Sequence, residues 1–388
     1  MSAKRSIRKR LLPIIALVIG GLLVFRPALQ AADNLKIGGV FSITGPASFL
    51  GDPEKKSMEM VVETINSAGG IDGRMLEAVI YDTEGDPQRA VNAVSKLINR
   101  DGVIAIIGPS LTPTTLAVKD LAAKAEIPLI SCAAGIQITE PVTPWVFKTA
   151  QSDVMAVATV YGHIQKSGLK TVGLLSVANA FGESGKQQLE KQAAAFGLQV
   201  VAAEKFGGKD SDMTAQLTKM RKAAPDAVIC WGTNPGPAVV AKNFGQLGLE
   251  MPLYQSHGVA SPKFIELAGS AAEGIFLPTG KILVAHLLPA DDPQKTVLTN
   301  YIEQFESRFQ IPVSGFGGYA YDAMQILAKA LVGTDGDTEK LRANLEQVTD
   351  HIGISGVFNF SPEDHNGLGA DAFVMVRIKN GTWELIQD

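Results

Sequence analysis

Short, continuously apolar runs alternate repeatedly along the chain with amphipathic segments of helical period. The runs LKIGGVFSI, MLEAVIYDT, VIAIIG and IPLISCAA are followed later by TVGLLSVA, LQVVAAEKF, DAVICWG and PLYQSHG. Strands that are apolar on both faces are typical of buried parallel sheets, and helical connections keep neighbouring strands parallel. The pattern therefore predicts an α/β fold built from repeated βαβ units.

The alternation runs through the chain twice, over about residues 34–152 and again over about residues 153–279. A section of helices follows, and the chain ends in strands, with Asn380-Gly381 indicating a two-residue hairpin turn. Because elements return after two similar series, we expect two doubly wound parallel-sheet lobes joined by a multi-crossover hinge. Lobe 1 would comprise residues 33–152 and 280–368, and lobe 2 residues 153–279 and 369–388.

The first 32 residues have the layout of a secretory signal peptide. Five Lys and Arg residues between positions 4 and 10 precede the apolar stretch Leu11–Phe25, and small residues follow. We expect export to the periplasm with cleavage near Ala31 or Ala32, and an uncleaved membrane anchor is the alternative. This segment carries six of the 35 basic residues and no acidic one, so the remainder has 29 basic against 39 acidic residues, a net charge of −10. That acidic balance argues against a nucleic acid partner.

Motifs of catalysis are missing from the sequence. It contains no GxSxG, HExxH or CxxC pattern, and GGVFSITGPASFLG lacks the GxGxxG spacing of a dinucleotide site. We therefore expect no enzymatic activity, no cofactor and no metal ion, and we interpret Asp364-His365 as part of a solvated loop. Cys132 and Cys230 lie in apolar runs of different predicted lobes, so two buried free thiols are favoured over a disulfide.

Ligands of parallel α/β sheets bind beyond the carboxyl ends of the strands, so the loops after the strands are the candidate site. In IIGPSLTPTT, Thr112 is placed to cap a helix and Pro113 to begin it. The free N–H groups of that terminus, with the Ser110 and Thr112 hydroxyls, predict a neutral site for a small anion. A helix cap without a ligand is the alternative, but the small residues of SCAAG, residues 131–135, favour close approach of a ligand to the backbone.

Other loops after strands carry further candidates. Phe49 and Leu50 are expected to be exposed in the loop after the first strand, with a helix beginning at Asp52-Pro53. Loops of the second series contribute Phe181, Thr233 and His257. Their shared position after successive strands is stronger evidence than any of these residues alone.

Four segments of the sequence together match the pattern of one known protein family specifically. They are LKIGGVFSITGPASFLG, INSAGGIDGRMLEAVIYDTEGDPQRAVNAVSKLI, IIGPSLTPTT and YAYDAMQIL. Through them the chain, from the end of the signal peptide onward, resembles the periplasmic leucine/isoleucine/valine-binding protein family, the solute receptors of ABC importers. The resemblance implies a type I periplasmic binding fold whose two lobes close on a small solute and deliver it to an ABC permease of the inner membrane. It implies no catalysis, and we expect a monomer.

The resemblance also assigns roles by position. The residue that holds the ligand carboxylate falls on Thr112, and the backbone carbonyl and hydroxyl that help hold the ammonium fall on Ala133 and Gly135. The acid that neutralises the ammonium falls on His257. The remaining pocket residues correspond to Leu50, Phe181 and Phe316, with Thr233 in place of a tyrosine. The positions of the family's lobe-one disulfide correspond to Gly85 and Leu111, so that bond is absent.

Two of these departures affect the ligand. Gly135 offers no hydroxyl and His257 no permanent negative charge, and a buried ammonium without such partners costs several kcal/mol. A neutral imidazole can instead hydrogen-bond a hydroxyl or carbonyl oxygen. We therefore predict a small carboxylate without an α-ammonium, first an aromatic acid such as a benzoate or hydroxycinnamate between Phe49, Phe181 and Phe316. The alternatives are a branched-chain or other hydrophobic amino acid, with Asp153 taking the ammonium, and a ligand-sensing ectodomain.

Overall fold

The computed structural model describes residues 1–2 and 33–386, so the predicted signal peptide and its cleavage point lie almost entirely outside the described residues. The first sheet is wholly parallel, with the strand order β2-β1-β3-β4-β5. Its strands and connecting helices are β1 Leu35–Phe41, α1 Ser48–Ser67, β2 Leu76–Asp82, α2 Pro87–Lys96, β3 Ala105–Ile107, α3 Thr112–Lys124, β4 Leu129–Ser131 and β5 Val146–Lys148.

The second sheet repeats this order. Its parallel part runs β7-β6-β8-β9-β10, which is the same winding as β2-β1-β3-β4-β5. The elements are α4 Asp153–Lys166, β6 Thr171–Val177, α5 Ala180–Gln192, β7 Gln199–Phe206, α6 Thr214–Ala223, β8 Ala227–Trp231, α7 Gly236–Gln246, β9 Leu253–Gln255, α8 Pro262–Ala268 and β10 Phe276–Thr279. The central strand β8 of this parallel part is buried throughout, whereas the edge strand β7 alternates between exposed and partly buried residues up to its buried last residue, Phe206.

The last part of the chain packs one of its helices against α1 beside the first sheet and then adds strands to the second sheet. Its elements are α9 Lys295–Phe309, α10 Gly315–Leu331, α11 Thr338–Leu345, β11 His351–Ile352, β12 Val357–Phe358, β13 Val374–Lys379 and β14 Thr382–Leu385. Strands β13 and β14 extend the second sheet in antiparallel pairing. The turn between them has positive φ at both Asn380 and Gly381, 54° and 72°, as the hairpin signal predicts. The predicted two-lobe α/β fold is confirmed, with this antiparallel edge as an addition.

Three crossing segments of the chain meet at Gln151. Its side-chain amide donates hydrogen bonds to the carbonyls of Ser355, at 3.0 Å, and Ala372, at 3.3 Å. Gly280 also packs against it, since a Cβ there would lie 2.9 Å from Gln151 Nε2. One buried amide thus ties together the three places where the chain passes between the sheets.

The start of α1 differs from the prediction. The helix begins at Ser48, so Pro53 lies inside it, and Phe49 and Leu50 belong to its first turn rather than to an exposed loop. Leu50 is only 4% exposed, and a Cβ on Gly51 would lie 2.4 Å from the Ser42 backbone. Burial of this turn against the end of β1 therefore outweighs the one backbone hydrogen bond that Pro53 cannot donate.

Cys132 and Cys230 are both buried and unpaired, as predicted. The interpretation of His365 as solvent-facing is wrong, because its ring is fully buried, stacks on Phe147 at 4.0 Å and hydrogen-bonds the Val146 carbonyl at 2.9 Å. Within the described part of the chain, no helix combines the length and apolar character that a membrane span requires.

Candidate functional site

A cavity lies where loops of the two sheets face each other, with about 430 Å³ of space between atoms, part of it open to solvent. The residues that line it are Leu50, Ser110, Leu111, Thr112, Pro113, Cys132, Ala133, Ala134, Asn179, Phe181, Thr233, His257, Gly258, Phe316 and Tyr319.

The winding of the sheets explains why these residues meet. In each sheet the strand order reverses its direction at one place, between β1 and β3 in the first sheet and between β6 and β8 in the second. The loops after those strands flank a crevice. The loops after β1 and β3 supply Leu50 and residues 110–113, and those after β6 and β8 supply Phe181 and Thr233. The cavity therefore lies where the crevices of the two sheets face one another.

Helix α3 points its N-terminus into the cavity. The helix begins at Thr112 with Leu111 in the cap position, one residue earlier than predicted, and no side chain caps it. Thr112 does not cap because its hydroxyl accepts a hydrogen bond from the Gly135 N–H at 3.2 Å instead. Its own hydrogen has no acceptor among the described residues and can be donated into the cavity. The uncapped amides and this hydroxyl together form a neutral donor set.

Gly135 supports Thr112 and does not line the cavity. A Cβ at this position would lie 2.4 Å from Thr112 Cγ2. A side chain there would therefore displace Thr112 from its present position. Leu111 packs in a similar way against Gly85, where a Cβ would lie 3.2 Å from the leucine Cδ1.

His257 forms part of the opposite wall and is held neutral. Burial, with a smaller contribution from the positive charge of Lys148, lowers its pKa to about 3. Its ring lies edge-on to three aromatic rings, those of Phe181, Trp231 and Phe373, at centroid distances of 5.6, 5.6 and 5.3 Å. Neither ring nitrogen has a hydrogen-bond partner in the described part of the chain. The imidazole is therefore a neutral polar group with unused hydrogen-bonding capacity.

Behind His257 lie two buried charged residues. Asp153 Oδ1 is 3.9 Å from His257 Nε2, too far for a hydrogen bond, and the carboxyl does not line the cavity. Burial raises the pKa of Asp153 to about 6, while the nearby Ser184 hydroxyl, which falls short of hydrogen-bond geometry, and Lys148 act in the opposite direction. Lys148 Nζ donates to the Ala134 carbonyl at 3.1 Å and thereby anchors the loop after β4.

Of the ten residues predicted for the site, eight line the cavity. They are Leu50, Ser110, Thr112, Ala133, Phe181, Thr233, His257 and Phe316. Gly135 is the first exception. Phe49 is the second, because its ring packs edge-on against Phe316 at 5.6 Å and lines a separate groove. Phe49 therefore supports a cavity wall without forming one.

Sequence reasoning missed several lining residues, two of which had a readable signal. Asn179 caps α5 by accepting the Gly182 N–H at 3.0 Å, and an Asn before a helical segment after a strand is a recognisable cap. Tyr319 lies three residues after Phe316 on α10, and that spacing puts both rings on one helix face.

Comparison with known proteins agrees with this geometry. Residues 34–382 match the family model described as periplasmic binding protein. The chain is 29% identical to the leucine-, isoleucine-, valine-, threonine- and alanine-binding protein of Pseudomonas aeruginosa, over 87% of this chain and 90% of the relative. An extracellular ligand-binding receptor from Rhodopseudomonas palustris HaA2 superposes with a TM-score of 0.85 at 27% identity, covering 91% of this chain and 99% of that one. The chain belongs to the periplasmic binding protein family.

Proposed function

We propose that the protein is the exported solute receptor of an ABC importer and that it captures a small carboxylate without an α-ammonium group. An aromatic acid such as a benzoate or a hydroxycinnamate is the first choice. The observation that carries the proposal is the uncharged lining: within the described part of the chain, no Asp, Glu, Lys or Arg lines the cavity, and its His257 is neutral. An ammonium buried there would lack a carboxylate partner, at a cost of several kcal/mol, and about 1.4 kcal/mol changes affinity tenfold.

The carboxylate rests on the start of α3 in this proposal. The Thr112 hydroxyl can donate to it, and no side chain caps the first turn of the helix, where Leu111, Thr112 and Pro113 line the cavity. Helix N-termini favour anions through these free N–H groups and the helix dipole. No countercharge is needed, so an acid fits this end of the cavity better than a neutral solute does.

The rest of the ligand meets apolar and aromatic surface. Phe316 and Tyr319 come from α10 and Leu50 from α1, whereas Phe181 comes from α5 beside the second sheet. Aromatic side chains of this kind favour a flat apolar ring. The unpaired nitrogens of His257 provide one polar contact, which suits a ring hydroxyl.

Capture takes place by domain closure in this proposal. Lobe 1, residues 33–152 and 280–368, binds the carboxylate first through Thr112, and lobe 2, residues 153–279 and 369–388, then brings His257 over the ligand. The closed state is stabilised only when the second set of contacts forms. The crossing segments held by Gln151 would act as the hinge. The closed form would then dock on a permease of the inner membrane.

A hydrophobic amino acid is the second candidate ligand. The name of the Pseudomonas relative and the buried carboxyl of Asp153 favour it. Against it, His257 lies between Asp153 and the cavity, and Lys148 already neutralises part of that charge. We therefore rank the acid without an ammonium first.

A thermal-shift screen with matched pairs tests this proposal. The pairs are 3-phenylpropanoate with phenylalanine and 4-methylpentanoate with leucine, alongside benzoate, a hydroxycinnamate and benzamide. At 100 times the dissociation constant a ligand stabilises the folded state by about 2.7 kcal/mol, or roughly 3–4 °C in a chain of this size. We expect shifts from the acids and none from the α-amino partners. Shifts from leucine or phenylalanine, with none from their desamino partners, would overturn the ligand class.

A further inference from the structure

A buried carboxylic acid lies directly behind the predicted anion site. Glu54 on α1 is fully buried, and its Oε2 is hydrogen-bonded to the Ser110 hydroxyl. Its Oε1 has no partner among the described residues. Ser110 also accepts a hydrogen bond from the Ser42 N–H at 3.0 Å and lines the cavity. The hydroxyl of Ser110 therefore connects Glu54 to the space where a ligand would sit.

The groups around Glu54 leave it without a positive partner. Cys132 after β4 and Tyr319 on α10 face it, and Asp322 lies further along α10, so none of these neighbours is a cation. No ion pair joins Glu54 to a Lys or Arg in the described part of the chain. Burial raises the pKa of Glu54 well above its usual value, and only the hydrogen bond with Ser110 acts in the opposite direction. Burial without a cationic partner favours the protonated form of such a carboxyl.

The protonation state of Glu54 decides what Ser110 presents to the cavity. If Glu54 were ionised, the single Ser110 hydrogen would be committed to the carboxylate, and a ligand would meet only a lone pair with a negative charge behind it. With Glu54 protonated on Oε2, the direction of this hydrogen bond can reverse: the carboxyl O–H donates to Ser110, which then accepts two hydrogen bonds and has its own hydrogen free. The second arrangement creates a further donor for an anion beside Thr112.

We infer that Glu54 is a positioning residue that makes the cavity selective for anions. Its protonated carboxyl donates a hydrogen bond to the Ser110 oxygen and leaves the Ser110 O–H free to donate to the ligand. The inference deepens the proposed function and rests on it to the extent that the ligand is a carboxylate. The same device disfavours cationic ligands, since it orients a donor rather than an acceptor toward them.

Infrared difference spectroscopy on the ligand-free protein tests the protonation directly. Wild type minus E54Q at neutral pH should show the C=O band of a protonated carboxyl. Uniform ¹³C labelling of glutamate should shift that band in the wild type, which separates it from the buried acids Asp153 and Asp322 and requires no variant. A carboxylate band in its place, or no band that responds to glutamate labelling, would overturn the inference. Because no ligand is present, failure of the proposed ligand class leaves this result standing.

Binding of benzoate tests the consequence. S110A should weaken benzoate binding about 10- to 150-fold, the usual effect of losing a hydrogen bond to a charged group. E54Q should bind benzoate within about threefold of wild type at neutral pH, since its amide N–H₂ can donate to Ser110 as the protonated acid does. S57A is the control. It removes a buried hydroxyl from the same helix, one that does not line the cavity and that hydrogen-bonds the Tyr301 hydroxyl at 2.8 Å, so it should leave benzoate affinity unchanged.

The outcomes separate the inference from the proposed function. Equal benzoate affinity of S110A and wild type, or loss of binding in a folded E54Q, would contradict the role of Glu54. If the wild type shows the infrared band but does not bind benzoate, the result would count against the proposed ligand class and leave the protonation of Glu54 standing.

Discussion

Replacement of Thr112 by valine tests the proposed carboxylate site at the start of α3 without changing its shape. Valine keeps both branches of the side chain and removes only the hydroxyl, which accepts the Gly135 N–H at 3.2 Å and has a hydrogen free for the cavity. Losing a hydrogen bond to a charged group weakens binding by about 1.5–3 kcal/mol, so the dissociation constant of benzoate should rise roughly 10- to 150-fold. The unpaired Gly135 N–H should also lower the free energy of unfolding by about 1–3 kcal/mol.

Titration calorimetry and chemical denaturation measure the two effects separately. T112S keeps the hydroxyl and should bind within about threefold of wild type, since it loses only one methyl group. T114V is the matched control, because Thr114 is equally buried on the same helix turn and its hydroxyl bonds the Leu111 carbonyl at 2.8 Å. It should be less stable by about 1 kcal/mol and bind normally. Equal losses of affinity in T112V and T114V, or none in T112V, would refute the carboxylate contact.

Four further predictions concern the surroundings of the cavity. H257E places a carboxylate beside Asp153 and the ligand and should weaken benzoate binding by at least about 100-fold, whereas H257Q should cost about tenfold or less; calorimetry that ranks them in the opposite order would contradict this. His257 has a pKa of about 3 in the folded state against 6.5 normally, so between these values the unfolded chain binds a proton that the folded chain does not. The contribution of the neutral imidazole to the unfolding free energy is therefore complete above pH 6.5 and is lost as the pH falls toward 3. Wild type should therefore lose about 2–3 kcal/mol more unfolding free energy than H257Q between about pH 7 and 4.5 in urea titrations, and equal losses would rule this out. K148M leaves Asp153 buried without its cation and should destabilise by about 3–5 kcal/mol; a change under about 1 kcal/mol would show that the lysine is not needed. G135A, whose Cβ would meet the Thr112 methyl, should lose about 1–3 kcal/mol of stability and part of its benzoate affinity, and unchanged melting and binding would count against the packing argument.

Much of the fold could be predicted because its signals are local. Strands such as β8 are apolar throughout since both faces are covered, and the Asn380-Gly381 turn carries its own backbone requirement. Strand β5 was missed because it is three residues long and ends in Lys148, whose burial depends on carbonyls and charges from other segments. The start of α1 was misplaced for a related reason, since the packing of Gly51 on Ser42 is invisible in a pattern that contains Pro53.

The site shows the same division. Residues directly after strands could be predicted to lie together, because parallel strands bring their carboxyl ends to one edge. The partners of those residues could not, since they join distant parts of the chain: Ser110 meets Glu54 56 residues away, and Thr112 meets Gly135. Whether a hydroxyl caps a helix, supports a loop or faces a ligand depends on such contacts, and no spacing in the sequence encodes them.

A crystal structure of the protein with bound 3-phenylpropanoate would show whether the start of α3 holds the ligand carboxylate. We expect one ligand between the two sheets, with its carboxylate about 3 Å from the Thr112 hydroxyl and the first amides of α3 and its ring between Phe181 and Phe316. A carboxylate turned away from α3, or a ligand bound outside the cavity, would contradict it.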